Sequence, residues 1–245
     1  MMVLVGQELE TGTIQYTSRD GTTIDAFYSR PAGAGSYPGV IVTMEGMGLM
    51  DHHKDIAVRF AGQGYLAIAP DLYTREGTPE PENVLATLFA SPDARAMDDL
   101  EGAALFLKSQ ADSNGRVGII GFCSGGRYTL MMACLSSNID AAVDSAGGHI
   151  VHEPTELRPV QPMDMVPDLT CPLLALFGVE DENPTAEQAE QMKALLDQHG
   201  KTYEWVMYNN AGHAFFADYR PSYRAAPAQD MWHRVLLFYG QHLKQ

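Results

Sequence analysis

From about residue 38 onward, short runs that are apolar throughout alternate with longer stretches whose apolar residues recur every three or four positions. Val40-Ile41-Val42-Thr43-Met44 follows Pro38-Gly39 and reads as a buried strand. Ile56, Ala57, Phe60 and Ala61 share one face of a helix that Gly62 and Gly64 end. Tyr65-Leu66-Ala67-Ile68-Ala69 is a second strand stopped by Pro70, and Met97, Leu100, Ala104, Leu107 and Ala111 resume the helical spacing. Ser113-Asn114-Gly115 turns the chain into a third strand, Val117-Gly118-Ile119-Ile120-Gly121, which runs into a helix-like stretch at 125–137. Further strands fall at 141–143, 173–177 and 205–208, with helices at about 185–199 and 225–243. Thr185 and Gln188 have the spacing of a capping box at the start of the first of these helices.

Residues 13–16 and 22–29, turning at Asp20-Gly21, look like an antiparallel hairpin on the edge of the sheet. Repeated strand–helix units with wholly apolar strands predict a mainly parallel sheet covered by helices on both faces. The expected unit is one doubly wound α/β domain over residues 1–245. Two stretches break the rhythm. Residues 74–93 contain Pro79, Pro81 and Pro92, and residues 146–168 contain Pro154, Pro159, Pro162 and Pro167. Long irregular segments in compact α/β units predict lids or pocket walls.

Composition narrows the partners. Hydrophobic residues make up 45% and charged residues 19%, which excludes a disordered or fibrous chain. Sixteen Lys plus Arg against 31 Asp plus Glu leave a formal charge of −15, arguing against nucleic acid or an anionic membrane as partner. An anionic substrate would need a local basic site to overcome that field. The start, Met1-Met2-Val3-Leu4-Val5-Gly6-Gln7-Glu8, has no basic region and does not read as a signal peptide. Three cysteines without a CxxC suit a reducing compartment, so a cytoplasmic monomer or small homo-oligomer is expected.

The sharpest chemical signal is Gly121-Phe122-Cys123-Ser124-Gly125-Gly126, a Gly-x-Cys-x-Gly between a predicted strand and a predicted helix. That is the setting of a nucleophile elbow, in which a strained turn lifts the nucleophile off the sheet. The flanking glycines are needed because side chains there would collide with neighbouring backbone. A nucleophile needs a base, and the base an orienting acid. Asp181 follows the 173–177 strand and His213 follows the 205–208 strand, in the order nucleophile, acid, histidine. Both lie beyond the carboxyl ends of parallel strands, where such sheets place their sites. The backbone N–H of Ser124, next to the nucleophile, and that of Gly46, after the first parallel strand, are the expected oxyanion donors.

These residues resemble the dienelactone hydrolase family within the α/β-hydrolase fold. The similarity extends to Pro70-Asp71-Leu72-Tyr73, Arg127, Arg158-Pro159-Val160-Gln161-Pro162-Met163-Asp164, Cys171-Pro172-Leu173-Leu174, Gly212-His213-Ala214-Phe215-Phe216 and Arg220-Pro221-Ser222-Tyr223. It therefore covers roughly residues 10–243. The resemblance implies a Cys-Asp-His triad and hydrolysis of a small-molecule ester or lactone through a thioester-type acyl-enzyme. It also implies a glutamate after the first parallel strand, matched by Glu45, and an arginine paired with it, matched by Arg75. A carboxylate beside Cys123 would disfavour a second negative charge and keep the resting residue a neutral thiol. Arg127, Arg220 and Phe215 are further candidates for substrate binding.

The chain departs from the family's type member at two places. Gly46 stands where that member has a bulkier residue, and Ala217 stands where its substrate-gripping arginine lies four residues after the histidine. A neutral ester or larger lactone is therefore as good a candidate as a dienelactone. His149-x-x-His152-Glu153 imitates a pair of metal ligands but lacks a third at a recognised spacing, so no metal is expected. Without a phosphate loop or dinucleotide fingerprint, no cofactor is implied either. Cys134 and Cys171 read as core. The alternatives are a non-hydrolytic ligand-binding protein on the same fold, or a biosynthetic acyl- or ring-processing enzyme using the same triad.

Overall fold

The computed structural model describes residues 8–77 and 79–244, without the side chain of Pro81. The amino-terminal stretch considered above, residues 1–7, lies outside the described residues, as does Thr78 within the first irregular segment. Leu9–Thr17 (β1) and Thr23–Pro31 (β2) form the expected hairpin, in register from Leu9↔Pro31 to Thr17↔Thr23. Its turn places Gly21 at φ +88°, a conformation that glycine adopts without penalty. The chain continues through Tyr37–Thr43 (β3), Asp51–Ala61 (α1), Leu66–Pro70 (β4), Val84–Ala90 (α2), Asp93–Ser109 (α3) and Ser113–Phe122 (β5). Then come Ser124–Leu135 (α4), Ala141–Ser145 (β6), Pro162–Met165 (α5), Leu173–Gly178 (β7), Ala186–Gln198 (α6), Tyr203–Tyr208 (β8) and Ala225–Leu243 (α7).

The strands form one eight-stranded sheet in the order β1-β2-β4-β3-β5-β6-β7-β8. All pairs from β4 to β8 are parallel, and only the β1–β2 and β2–β4 pairs are antiparallel. The apolar strands β4, β6 and β7 are buried along their whole length, as expected of a sheet covered on both faces. One face packs Leu100, Leu107, Leu130 and Met192 of α3, α4 and α6, and the other packs Ile56, Phe60, Val235 and Phe238 of α1 and α7. Each large apolar side chain so buried contributes about 1.5–3 kcal/mol relative to exposure. The architecture is the α/β-hydrolase fold.

Two local details differ from the pattern reading. The Ser113-Asn114-Gly115 turn belongs to β5, because the ladder with β3 jumps from Tyr37↔Ser113 to Gly39↔Val117 and absorbs the turn as a bulge. The irregular segments also contain the short helices α2 and α5, too brief for a helical period to show in sequence. The predicted capping box is present: Gln188 N–H donates to Thr185 Oγ1 at 3.2 Å, and Thr185 N–H to Gln188 Oε1 at 3.0 Å. No helix among the described residues is long and apolar enough to cross a membrane.

The crossovers position the site. From β3 the chain passes through α1 to β4 on one side, then through α3 to β5 on the other. The carboxyl ends of β3 and β5, paired at Thr43↔Gly121, therefore flank the switch point where open α/β sheets bind ligands.

Candidate active site

The elbow is built by close packing of backbone. Cys123 sits at φ 54°, ψ −122°, a strained conformation for any residue with a side chain. A Cβ on Gly121 would lie 2.1 Å from the carbonyl oxygen of Gly125, and one on Gly125 would lie 2.5 Å from that of Thr43. Both glycines are therefore required sterically. The Cys123 peptide is pinned: its N–H donates to Ser145 O (3.3 Å), and its carbonyl accepts from Arg127 N–H (3.2 Å) and Gly148 N–H (3.0 Å).

Asp181 and His213 reach one another because their loops are knitted together. Val179 N–H donates to Tyr208 O and Glu180 N–H to Ala211 O, both at 2.9 Å. A Cβ on Gly178 would lie 2.2 Å from Ala211 O, so only glycine lets the two loops approach this closely. His213 Nδ1 lies 3.1 and 3.0 Å from the two oxygens of the buried Asp181 carboxylate. A carboxylate only accepts, so Nδ1 donates to it and Nε2 is left to face Cys123. Asn183 N–H also donates to Asp181 Oδ1, at 2.8 Å. Burial works to lower the His213 pKa, but hydrogen bonds with Asp181 and then Cys123, with the charges of both, push it up to about 10.

Glu45 is almost completely buried beside this centre. Its Oε2 accepts from Arg220 at 2.7 Å and from the Tyr219 hydroxyl at 3.1 Å. Its own N–H donates to His53 Nε2 at 3.2 Å, and burial drives His53 down to about 4, keeping it a neutral acceptor. The Gly46 carbonyl accepts from Tyr73 Oη at 2.8 Å. The amides of Gly46 and Ser124 have no backbone partner among the described residues, as oxyanion donors require. A Cβ on Gly46 would lie 2.9 Å from Leu88 Cδ2, so Leu88 of α2 fills the place of a larger side chain at 46.

The remaining candidates separate by what holds them. Arg75 does not meet Glu45; it grips Asp99 at 2.6 and 2.9 Å and Asp20 at 2.9 Å, tying the loop after β4 to α3 and to the β1–β2 turn. Arg220 takes the pairing expected of it, because the loop after His213 folds over the end of β3. Arg127 is buried in a bidentate pair with Asp93, at 2.9 and 2.7 Å, and donates to His152 Nε2 at 3.1 Å. Phe215 is buried and packs on Tyr208 with ring centroids 5.1 Å apart, making it part of the α7-side core instead of a pocket wall.

Sequence reasoning missed several residues that shape the site. Tyr219 adjoins a nominated arginine, and Asn183 follows the nominated acid by two positions; adjacency was the only signal. The two irregular segments meet through Asp93: its N–H donates to Leu157 O at 3.0 Å, while Arg158 reaches Leu88 O at 2.7 Å. His149, Ala146 and Ala214 adopt positive φ without being glycine, which no sequence pattern marks. No group of three or more His, Cys, Asp or Glu among the described residues could hold a metal ion.

The profile of the dienelactone hydrolase family matches residues 24–243. A candidate carboxymethylenebutenolidase of Methylorubrum extorquens is 38% identical over 240 residues, covering 96% of this chain and 82% of that protein. A Bradyrhizobium protein assigned as a 2-oxo-3-(5-oxofuran-2-ylidene)propanoate lactonase is 31% identical over 222 residues, 89% of each chain. Among solved structures, a candidate dienelactone hydrolase of Klebsiella pneumoniae superposes with a TM-score of 0.88 at 35% identity, covering 96% of this chain and 100% of that one.

Proposed function

Since this chain belongs to the dienelactone hydrolase family, we propose that it hydrolyses a carboxylic ester or lactone through an acyl-enzyme on Cys123. The observation that carries the reading is Cys123 at positive φ on its elbow, coupled to a His213 that Asp181 holds through Nδ1. The named activities of the Methylorubrum and Bradyrhizobium relatives support a lactone or ester as substrate.

The reaction runs in two halves. The Cys123 sulfur, its proton transferred to His213 Nε2, attacks the acyl carbon, and the carbonyl π electrons move onto oxygen, between the N–H groups of Ser124 and Gly46. As the tetrahedral species collapses, the acyl C–O bond breaks and the leaving oxygen takes the proton held at His213 Nε2. In a lactone the leaving oxygen stays tethered to the acyl chain. Water then enters, His213 accepts its proton, and the hydroxide equivalent attacks the thioester. Collapse of that second intermediate breaks the C–S bond, expels the sulfur as thiolate and releases the acid, leaving the water's proton on the imidazole.

The raised His213 pKa fixes the sign of the pH dependence. A protonated imidazole pairs with the sulfur below about pH 10 and is lost above it. Activity therefore holds through neutral pH and falls as the pH rises through that region. Acylation tests the assignment: intact mass after rapid mixing with p-nitrophenyl acetate should show a transient +acetyl species on wild type. Cys123→Ala should lose about a thousandfold or more of kcat/KM and show no adduct. More than a tenth of the activity surviving in Cys123→Ala would sink the nucleophile assignment.

A further inference from the structure

In the acyl-enzyme reading above, each substituent of the bound carbonyl has its own side of the fold. The oxygen lies between the Ser124 and Gly46 amides, and the leaving oxygen faces His213, which arrives after β8 at one edge of the sheet. The acyl chain is left the opposite side, over the carboxyl ends of β3 and β4. A cavity of about 10 Å³ lies on that side, and its walls include Glu45, Tyr73, Leu88, Arg95 and Ser124. That volume suits about one water molecule, and so about one methyl group. Burial chiefly, with the charge of Cys123 among the lesser causes, holds the Tyr73 phenol above its ordinary pKa, which puts the sulfur close to this wall.

Leu88 of α2 is the wall residue that reaches across to the oxyanion side. Its Cδ2 stands 2.9 Å from where a Cβ on Gly46 would lie, and Ser124 Oγ stands 3.7 Å from the same point. Its side chain is buried, whereas Leu85 on the same helix is 65% exposed. Neither Leu88 nor Tyr73 is free to retreat. Leu88 O accepts from the buried Arg158 at 2.7 Å, and the Arg158 guanidinium also lies over the Phe89 ring, 4.9 Å from its centroid. Tyr73 donates through Oη to Gly46 O at 2.8 Å and through its N–H to Asp71 Oδ1 at 3.0 Å. Moving either wall back would break a buried hydrogen bond, so the cavity keeps its size.

Resting on the acyl-enzyme reading, we propose that Leu88 is an acyl-size gate, a specificity residue that admits an acetyl-sized group and turns away longer chains. In a lactone the acyl chain is closed into the ring. The gate then reads what is attached to the ring carbon beside the carbonyl, and it favours rings bare at that position. Arg95, paired with Glu76, stays in the wall whichever acyl chain is bound, so uncharged chains separate size from charge.

The test compares p-nitrophenyl acetate with p-nitrophenyl hexanoate, which share a leaving group, and follows acyl adducts on Cys123 by intact mass. Wild type should favour the acetate by about tenfold or more in kcat/KM, because the longer chain overfills the cavity. Leu88→Ala should raise the hexanoate-to-acetate ratio of kcat/KM by about tenfold, and Leu88→Val should raise it part of the way. The valine variant removes one methylene and carries the test if the alanine variant does not fold. Leu85→Ala, on the exposed face of the same helix, should keep the wild-type ratio within about twofold. Adducts of both esters on Cys123 with the hexanoate used as well as the acetate would overturn this inference and leave the acyl-enzyme reading standing. An unchanged ratio in the folded Leu88 variants, or an equal rise in Leu85→Ala, would likewise overturn it. No adduct on Cys123 from either ester would overturn both readings together.

Discussion

Two carboxylate–arginine groups flank the elbow, and they are built from the same chemistry to different ends. On the β3 side, Glu45 is held by Arg220, whose side chain remains 32% exposed, and by Tyr219. On the α3 side, Asp93 is held by Arg127 at 2% exposure and approached by Arg158 at 8%. The cation of the first pair meets water, which offers it another partner, so this pair is suited to answering a change in the site. The second is sealed and joins α3, α4 and the 146–168 segment into one wall. Accessibility, more than residue type, separates a responsive ion pair from a structural one, because water supplies the alternative partner that a pair needs in order to open.

The largest expected effect comes from breaking the sealed group. Asp93→Ala leaves two buried guanidiniums without their carboxylate and should cost roughly 3–5 kcal/mol in urea unfolding. Arg220→Ala should cost less than half of that, since water can reach the group it vacates. Equal losses in the two variants would erase the distinction between the pairs.

A buried carboxylate with no arginine sharpens it further. Among the described residues Asp144, at the end of β6, accepts only from Gly147 N–H, with no partner for Oδ2, and burial pushes its pKa up to about 7. A carboxyl whose folded pKa lies above its unfolded value destabilises the fold as pH rises between the two. Wild type should therefore lose about 2–3 kcal/mol from this group between pH 5 and pH 8, and Asp144→Asn should remove that dependence. Unfolding curves at the two pH values decide it, and an unchanged pH slope in the variant would show the carboxylate to be paired.

The smallest effect concerns the responsive pair. Without Arg220, the Glu45 charge is no longer balanced and opposes negative charge on the nearby sulfur. Alkylation of Cys123 by iodoacetamide at pH 7 should slow about fivefold in Arg220→Ala and recover in Glu45→Gln/Arg220→Ala. Intact mass against time gives both rates. Unchanged rates would mean that the pair does not sense Cys123.

Much of the fold was legible before any coordinates. The wholly apolar runs at 40–44, 65–69 and 173–177 became β3, β4 and β7 to within a few residues, because a strand covered on both faces has no polar side to confuse the pattern. The placement of Cys123, Asp181 and His213 beyond the carboxyl ends of strands was legible for a related reason. Each follows such a strand, and the elbow glycines mark backbone contacts that admit no side chain. Arg75 was the instructive failure. The family resemblance matches it to Glu45, yet Asp99, on α3, holds it. Phe215 failed similarly: it adjoins the histidine loop but points into the core under α7. Neighbours in sequence share a loop without sharing a direction.

The sequence by itself determined the local propensities of the chain: which segments are strands and helices, where a tight strand–helix turn must form, and the order in which Cys123, Asp181 and His213 arrive. These depend on near-neighbour sterics and on the period of burial, which a linear string records. Only the tertiary structure decided which carboxylate each arginine found and how the two irregular segments were tied into a wall. Glu45 and Arg220 are separated by 175 positions, and Arg75 and Asp99 by 24. Ion pairing has no period along a chain. It is settled by which charged groups are left facing one another once the apolar faces are buried, and that geometry exists only in the folded protein.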